Sequence, residues 1–328
     1  MAKKVLFIGG SVNQTSMGHA VAKHLEDDYD CYFTPYYCDG LLRLMAQAGW
    51  LDFTVIGGRF RAQTEAYLRE NDLQVDYTGQ RQNYDLVVTG SDLLIQKNIS
   101  NKKIVLIQEG MTDPENLMFH LVKWLGLPRW LAGNTSANGL SDAYQVFCVA
   151  SEGYRDFFVE KGVKPEKIVV TGIPNFDDLA QLLDNDFPHK NYVLVATSDV
   201  RETKRFDGRK KFIRRCLEIA DGRPIIFKLH PNEKIKRATR EIEALAPHAL
   251  VFADGNTGHM IANCDALITQ YSSVVYIGLV LGKEVHSYFD VERLKKLTPV
   301  QNGGASAKKI AGVCRALLEG ACFHAGIT

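Results

Sequence analysis

Short apolar runs, each closed by glycine or a polar turn residue, recur along the whole chain and restrict its fold more than any other feature. In the first half they fall at residues 5–8, 29–33, 53–56, 86–88, 104–107, 145–149 and 168–170. Helical patterns at residues 18–25, 62–70 and 153–161 separate most of them. Runs this short, apolar throughout, read as strands buried on both faces. Strands that alternate with helices are joined by right-handed crossovers into a mostly parallel sheet. The second half repeats the plan at residues 192–196, 225–229, 250–252, 266–268 and 285–288. The pattern predicts an α/β chain of two doubly wound, Rossmann-like domains facing a central cleft. Residues 172–190 carry Pro174, Pro188 and a polar acidic stretch, which places a linker there. The expected division is a first domain over 1–172, a linker over 173–190 and a second domain over 191–328. A last helix over 307–319 is compatible with either domain.

Length and composition agree with this plan and narrow the function. A chain of 328 residues suits two domains of ordinary size, each with its own core. Its 46% hydrophobic and 23% charged residues are globular values. A net charge of +1 leaves no global basic footprint, so no nucleic-acid partner is expected. No apolar stretch approaches the roughly 18 residues of a membrane span. The opening residues Met1 to Gly10 have too short an apolar core for a signal peptide, and a cytoplasmic location is expected. Cysteines stand at 31, 38, 148, 216, 264, 314 and 322 without CxxC spacing, which reads as buried reduced thiols. No Asp-x-Asp pair sits in a convincing loop, and Asp27-Asp28 and Asp177-Asp178 read as helix-end and linker carboxylates. No metal and no cofactor is expected.

In open parallel sheets ligands bind beyond the carboxyl ends of the strands, so the residues that close the runs are the candidates. Lys228-Leu229-His230-Pro231 closes one run, and Lys228 and His230, two apart, share a strand face. Thr197 and Ser198 close a second and Ser272-Ser273 a third. A short helical pattern from Val274 ends before Gly282, so Ser272 or Ser273 is placed as its cap. Free N–H groups and the helix dipole there attract a phosphate. A lysine, an imidazole and hydroxyls gathered in this way suit the phosphates of a nucleotide donor.

In the first half, Gly9-Gly10-Ser11 follows the first strand, and Gln108-Glu109-Gly110 and Gly90-Ser91-Asp92 close two others. Gly10, Ser11 and Gly110 are assigned to loops on the acceptor side. Asp92 fits a structural cap about as well as a catalytic acid or base. Glu109 is followed by Gly110 and Pro114 in a loop and is the better acid–base candidate. Residues 113–130 are rich in bulky apolar groups broken by His120, Lys123 and Arg129. Core packing explains them, yet Trp124, Trp130 and the basic groups also resemble an interfacial patch. The basic run at 204–215 reads as a solvated helix face, or as a surface that meets anionic lipid.

On these residues the chain resembles the glycosyltransferase-B superfamily. Leu267 to Val275 is similar to the LITDYSS segment of the CDP-glycerol glycerophosphotransferases and the HP-motif sialyl- and Kdo-type transferases, where the serines contact donor phosphates. Lys228-Leu229-His230-Pro231 is similar to the HP motif itself, also a phosphate contact. Gln108-Glu109-Gly110 resembles the acidic motif of bacterial sialyltransferases, which implies Glu109 as general base on the acceptor hydroxyl. Val169 to Asp177 resembles the VTGNPVID linker of non-hydrolysing UDP-GlcNAc 2-epimerases, and Arg201-Glu202-Thr203 echoes their RREN turn. The epimerases' Ser-Gly-Gly and paired glutamates are replaced by Tyr271-Ser272-Ser273 and Val275-Tyr276. Gln270 and Ile277 stand where the transferases carry acidic residues, and their His-Gly-Thr segment has no match. The resemblance implies a metal-independent transfer of a sugar from a CMP-, CDP- or UDP-linked donor to a glycan or lipid-linked acceptor, as in cell-envelope polysaccharide synthesis. Peripheral membrane contact is expected from the aromatic patch at 119–130 and the basic run at 204–215. A 2-epimerase and a non-catalytic nucleotide-sugar-binding protein are the alternatives.

Overall fold

The computed structural model describes residues 2–52, 54–198, 201 and 208–320. They form two compact units, one built from residues through Asp177 together with those from Pro299 onward, the other from Asp178–Thr298.

The first unit holds strands β1 (Lys4–Gly9), β2 (Asp30–Pro35), β3 (Leu86–Thr89), β4 (Lys103–Ile107), β5 (Val146–Val149) and β6 (Ile168–Val170). All pair in parallel, in the order β2-β1-β3-β4-β5-β6. Every residue of β3 and β5 is buried, as uniformly apolar strands covered by helices on both faces require. Helices α1 (Val12–Ala22), α2 (Gly40–Gln47), α3 (Gly58–Glu70), α4 (Leu117–Leu125) and α5 (Glu152–Lys161) follow their strands. Helix α1 begins directly at the end of β1, where Ser11 Oγ accepts from Gln14 N and caps it. Gly9 makes that start possible: a Cβ there would lie 2.2 Å from Thr15 Oγ1.

The second unit repeats the plan with β7 (Val193–Ala196), β8 (Ile225–Lys228), β9 (Leu250–Phe252), β10 (Ala266–Thr269) and β11 (Glu284–His286). Their order is β11-β10-β7-β8-β9, again parallel throughout. Helices α6 (Arg209–Ala220), α7 (Ile235–Glu243), α8 (Thr257–Asn263), α9 (Val275–Val280) and α10 (Val291–Leu297) cover it. One side of the sheet packs Phe212, Ile213, Ala238 and Ile242 on Val193, Val195 and Phe227. The other packs Met260, Ile261 and Cys264 on Leu194 and Ile226.

Three sequence expectations change. Residues 54–57 form turns rather than a strand, Phe53 lying outside the described residues. Thr54 is the reason: its hydroxyl donates to Leu51 O and accepts from Ile56 N, an alternative to sheet pairing for this backbone. The second domain ends at Thr298 and does not run to the C-terminus. Beyond it, Val300 N donates to Ala150 O, and helix α11 (Ser306–Leu318) joins the first unit. Its Ile310, Ala311 and Cys314 are buried, and the Nζ groups of Lys3 and Lys103 donate to the carbonyls of Leu318 and Leu317 at its end. Lastly, residues 173–190 are partly ordered into 3-10 turns, Pro174–Phe176 and Leu179–Leu183, with the unit boundary after Asp177.

The six described cysteines are free thiols, all buried except the half-buried Cys31, and Cys322 lies outside the described residues. Burial pushes the Cys148, Cys216 and Cys264 thiols up to about 12.

Candidate functional site

In the first unit the carboxyl ends of β1 and β4 bring Ser11 and Glu109 together across 98 positions of sequence. Glu109 Oε1 accepts from Ser11 Oγ at 2.9 Å and from Asn13 Nδ2 at 3.3 Å, while Oε2 accepts from Gln14 Nε2 at 2.6 Å. Gly10 N donates to Gln14 Oε1 at 2.8 Å, so the glycine turn aims the glutamine that holds the carboxylate. Gly110 carries the next link, its carbonyl accepting from Gln108 Nε2 at 2.7 Å. Gln108 Oε1 in turn accepts from Ala150 N, tying the end of β4 to the end of β5. The half-buried Glu109 is thus fixed in place, and three of its roughly four lone-pair sites are used. One remains on Oε2.

Asn13 and Gln14 were not among the residues singled out by sequence. Ser11 and Gln14 have the S-x-x-Q spacing of a capping box, which was the available signal. Asn175 also reaches this group, its Nδ2 donating to Asn13 O at 3.3 Å and to Asn13 Oδ1.

Asp92 does not belong to this group. It is 0% exposed, its Oδ1 accepts from Gly139 N at 2.8 Å and its Oδ2 from Ser141 N at 2.9 Å. Each oxygen accepts from a main-chain donor, which makes Asp92 the clamp of the loop at 139–141, the structural alternative to an acid–base role.

In the second unit the carboxyl ends of β7 and β8 carry a tight polar turn. Residues His230 to Glu233 close on themselves twice: Glu233 N donates to His230 O at 2.9 Å, and His230 N donates to Glu233 Oε2 at 3.0 Å. His230 N also donates to Thr197 Oγ1 at 3.0 Å, and Thr197 Oγ1 donates to Glu233 Oε2. Arg209, at the start of α6, forms an ion pair with Glu233 in which both side chains are buried. Asn232 N donates to His230 Nδ1 at 3.2 Å. Glu233 and Arg209 escaped the sequence reading; the one local signal was a glutamate three residues beyond His230, again a capping-box interval.

Three of the expected phosphate contacts have other partners here. Lys228 Nζ donates to Leu229 O and Ala253 O, both at 2.9 Å, so it braces the ends of β8 and β9 and has one donor left. Burial, the larger influence, lowers its ammonium below the ordinary lysine range, while Asp254 and Glu233 oppose the shift. Thr197 is buried in the Glu233 network, and the buried Ser198 donates to Gln270 Oε1 at 2.7 Å. These residues shape the strand ends. Ser272 and Ser273 stay half-buried in the turn that precedes α9, but neither is its cap. Val274 occupies that position in helical conformation, and Ser272 Oγ accepts from Val274 N at 3.5 Å.

The aromatic stretch at 119–130 divides. Phe119 and Val122 pack with Ala132 and Ala137 in the core, whereas Leu117, Leu125 and Trp124, the last 82% exposed, face solvent. Lys123 is exposed, His120 Nε2 lies 3.8 Å from Glu115 Oε2, and Arg129 Nη2 donates to Asp92 O. Leu41, Leu44 and Trp50, on and just after α2, are equally exposed and were not anticipated. In the basic run, residues 204–207 lie outside the described residues. On α6 Lys210, Lys211, Arg214 and Arg215 are exposed and Arg209 is buried. Glu202 and Thr203 also lie outside. Among the described residues no helix is long and apolar enough to cross a membrane, and no three His, Cys, Asp or Glu side chains are grouped to hold a metal.

The arrangement of elements along the chain is similar to that of solved structures. The UDP-GlcNAc 2-epimerase from Neisseria meningitidis, bound to UDP-GlcNAc, matches with a TM-score of 0.59 over 95% of this chain and 99% of its own, at 14% identity. The fold is of the GT-B type, two Rossmann-like domains. The Methanocaldococcus jannaschii UDP-GlcNAc 2-epimerase, in complex with UDP-GlcNAc and UDP, matches with a TM-score of 0.57 over 95% and 99% at 13% identity. The wall teichoic acid polymerase TagF matches with a TM-score of 0.52 over 97% and 89% at 12% identity. No family model and no curated protein sequence matches the chain.

Proposed function

We propose that this chain is a metal-independent glycosyltransferase that moves a sugar from a CMP-, CDP- or UDP-linked donor to a glycan or lipid-linked acceptor. The observation that carries the reading is the Glu109 carboxylate, oriented by Ser11, Asn13 and Gln14 at the strand ends of the first unit. In this reading Glu109 takes the proton of the acceptor hydroxyl as that oxygen bonds to the donor's anomeric carbon. The anomeric carbon–phosphate oxygen bond breaks, and the electron pair leaves with the nucleotide. His230, Ser272 and Ser273 in the second unit stabilise the charge that develops on the leaving phosphate. Such preorganised stabilisation is commonly the largest catalytic term, and a placed base adds roughly 100- to 10,000-fold. The nucleotide-sugar ligands of the structural neighbours support the donor class.

The alternative reading is a UDP-GlcNAc 2-epimerase, which needs one substrate only; the solved neighbours include both epimerases and the polymerase TagF. Incubation with donor alone and with donor plus acceptor separates the two, since an epimerase converts donor without acceptor. For the transferase, Glu109→Gln preserves side-chain shape but removes the proton acceptor; transfer is nearly abolished while nucleotide binding stays. Normal transfer by this variant would place the base elsewhere.

We further propose that the acceptor is lipid-linked and that the protein meets anionic membrane peripherally, at a cell envelope, from the cytoplasmic side. Support comes from Trp124 and Leu125 on α4 and from Leu41, Leu44 and Trp50, apolar groups exposed in the acceptor-side unit. Aromatic and aliphatic side chains with neighbouring cations suit the headgroup region of a bilayer.

A further inference from the structure

We propose that Glu233 is a positioning residue, which together with Arg209 and Thr197 locks the His230 turn so that the imidazole presents an Nε2–H donor. The role of that donor toward a nucleotide phosphate rests on the function proposed above; the lock itself does not.

The argument begins with the main chain. His230 N has two acceptors, Glu233 Oε2 and Thr197 Oγ1, each at 3.0 Å, and Glu233 N returns a hydrogen bond to His230 O. A turn tied by main chain in one direction and side chain in the other has the reciprocity of a capping box. It leaves the residue before Pro231 little freedom, since proline already restricts it. Held this way, Asn232 N points at the ring and donates to Nδ1 at 3.2 Å. A main-chain amide only donates, so Nδ1 is the acceptor nitrogen and the proton of the neutral ring is on Nε2. The imidazole is therefore set to donate from Nε2, as a phosphate contact requires, and is not set to act as a base there.

Charge explains why the lock needs Arg209. Glu233 has no exposed side-chain surface, and a lone buried carboxylate would be costly; the buried Arg209 guanidinium and the Thr197 hydroxyl compensate it. Neither partner is close in sequence, as Thr197 follows β7 and Arg209 opens α6. The turn thus depends on both flanking elements of the sheet.

Two variants test the lock. Glu233→Gln keeps the shape but turns an amide donor toward donors. Because it removes the Glu233 charge from the buried pair with Arg209, its fold is checked against the double variant Arg209→Met/Glu233→Leu, since replacing a buried ion pair by apolar groups of similar size is often neutral for stability. The first readout is the imidazole nitrogen spectrum of histidine-labelled protein, with the His230 signals assigned by their loss in His230→Asn. The expected parent signature is an Nε2–H neutral ring, and the double variant is expected to show a mixture of both tautomers. The second readout is calorimetry with UDP and CDP as probes, where a displaced donor weakens binding by about tenfold to a hundredfold. A parent that shows the Nδ1–H tautomer overturns the proposal, as does a folded double variant that keeps the parent's tautomer. If the parent binds neither UDP nor CDP, the donor-binding reading fails while the tautomer result still decides the lock.

Discussion

Replacing Asp92 by alanine is expected to cost stability and to do so without touching the reaction directly. The side chain is 0% exposed and its two oxygens accept from Gly139 N at 2.8 Å and Ser141 N at 2.9 Å. Truncation orphans two main-chain donors, each costing about 1–3 kcal/mol when no water replaces the acceptor. One term opposes this, because burying the carboxylate itself was unfavourable and alanine removes that penalty. The N–H of Ser141 is only partly buried and regains some solvent, so the lower half of the range applies, about 2–4 kcal/mol. For a domain of this size each kcal/mol lowers the melting temperature by roughly 2–4 °C, which predicts a fall of about 4–16 °C. Asp92→Asn keeps one acceptor and is expected to lose about half as much. Urea and thermal unfolding followed by circular dichroism measure the change. An Asp92→Ala protein that unfolded like the parent yet had lost its activity would refute the clamp and restore Asp92 as an acid or base.

Ser272→Ala combined with Ser273→Ala is expected to weaken UDP or CDP binding at least about 100-fold with the fold intact, from two lost hydrogen bonds to charged phosphate at roughly 1.5–3 kcal/mol each; an unchanged dissociation constant by calorimetry would remove the serines from the site. Trp50→Ser with Trp124→Ser, both at exposed positions, is expected to reduce cosedimentation with anionic vesicles at low salt without shifting the melting temperature. Absence of the parent itself from the low-salt pellet would favour a soluble acceptor. Burial, helped by the charge of Lys23, lowers His19 below the ordinary 6.5. The unfolded chain then binds more protons just below that value, so stability falls as pH drops through 6.5. His19→Gln is expected to flatten that part of a melting-temperature profile, and an unchanged slope would assign the acid sensitivity to other groups.

Hydrophobic patterning was enough to set the class of fold. Apolar runs such as residues 86–88 and 266–268 became fully buried strands, because continuous hydrophobicity over so few residues has no stable place except a sheet covered on both faces. The residues that close those runs were placed by the same reasoning, since a parallel sheet puts all its strand ends on one side; Ser11 and Glu109 meet there. Tertiary structure decided what each polar group is spent on. Asp92 and Glu109 both follow strands and look alike in one dimension, yet one is consumed by the amides of Gly139 and Ser141 and the other is held in place by side chains. Lys228 reads as a phosphate ligand until the Ala253 carbonyl, brought by β9, accepts a hydrogen bond from its ammonium. The ion pair of Glu233 with Arg209 spans 24 positions, and no local pattern encodes it. The last helix was open between two domains because its apolar face fits any core; the Lys3 and Lys103 ammonium groups at its final carbonyls, with its buried Ile310 and Cys314, fix it to the first. Periodicity records how much of a segment is buried, whereas hydrogen-bond partners depend on which segments the folded chain brings side by side.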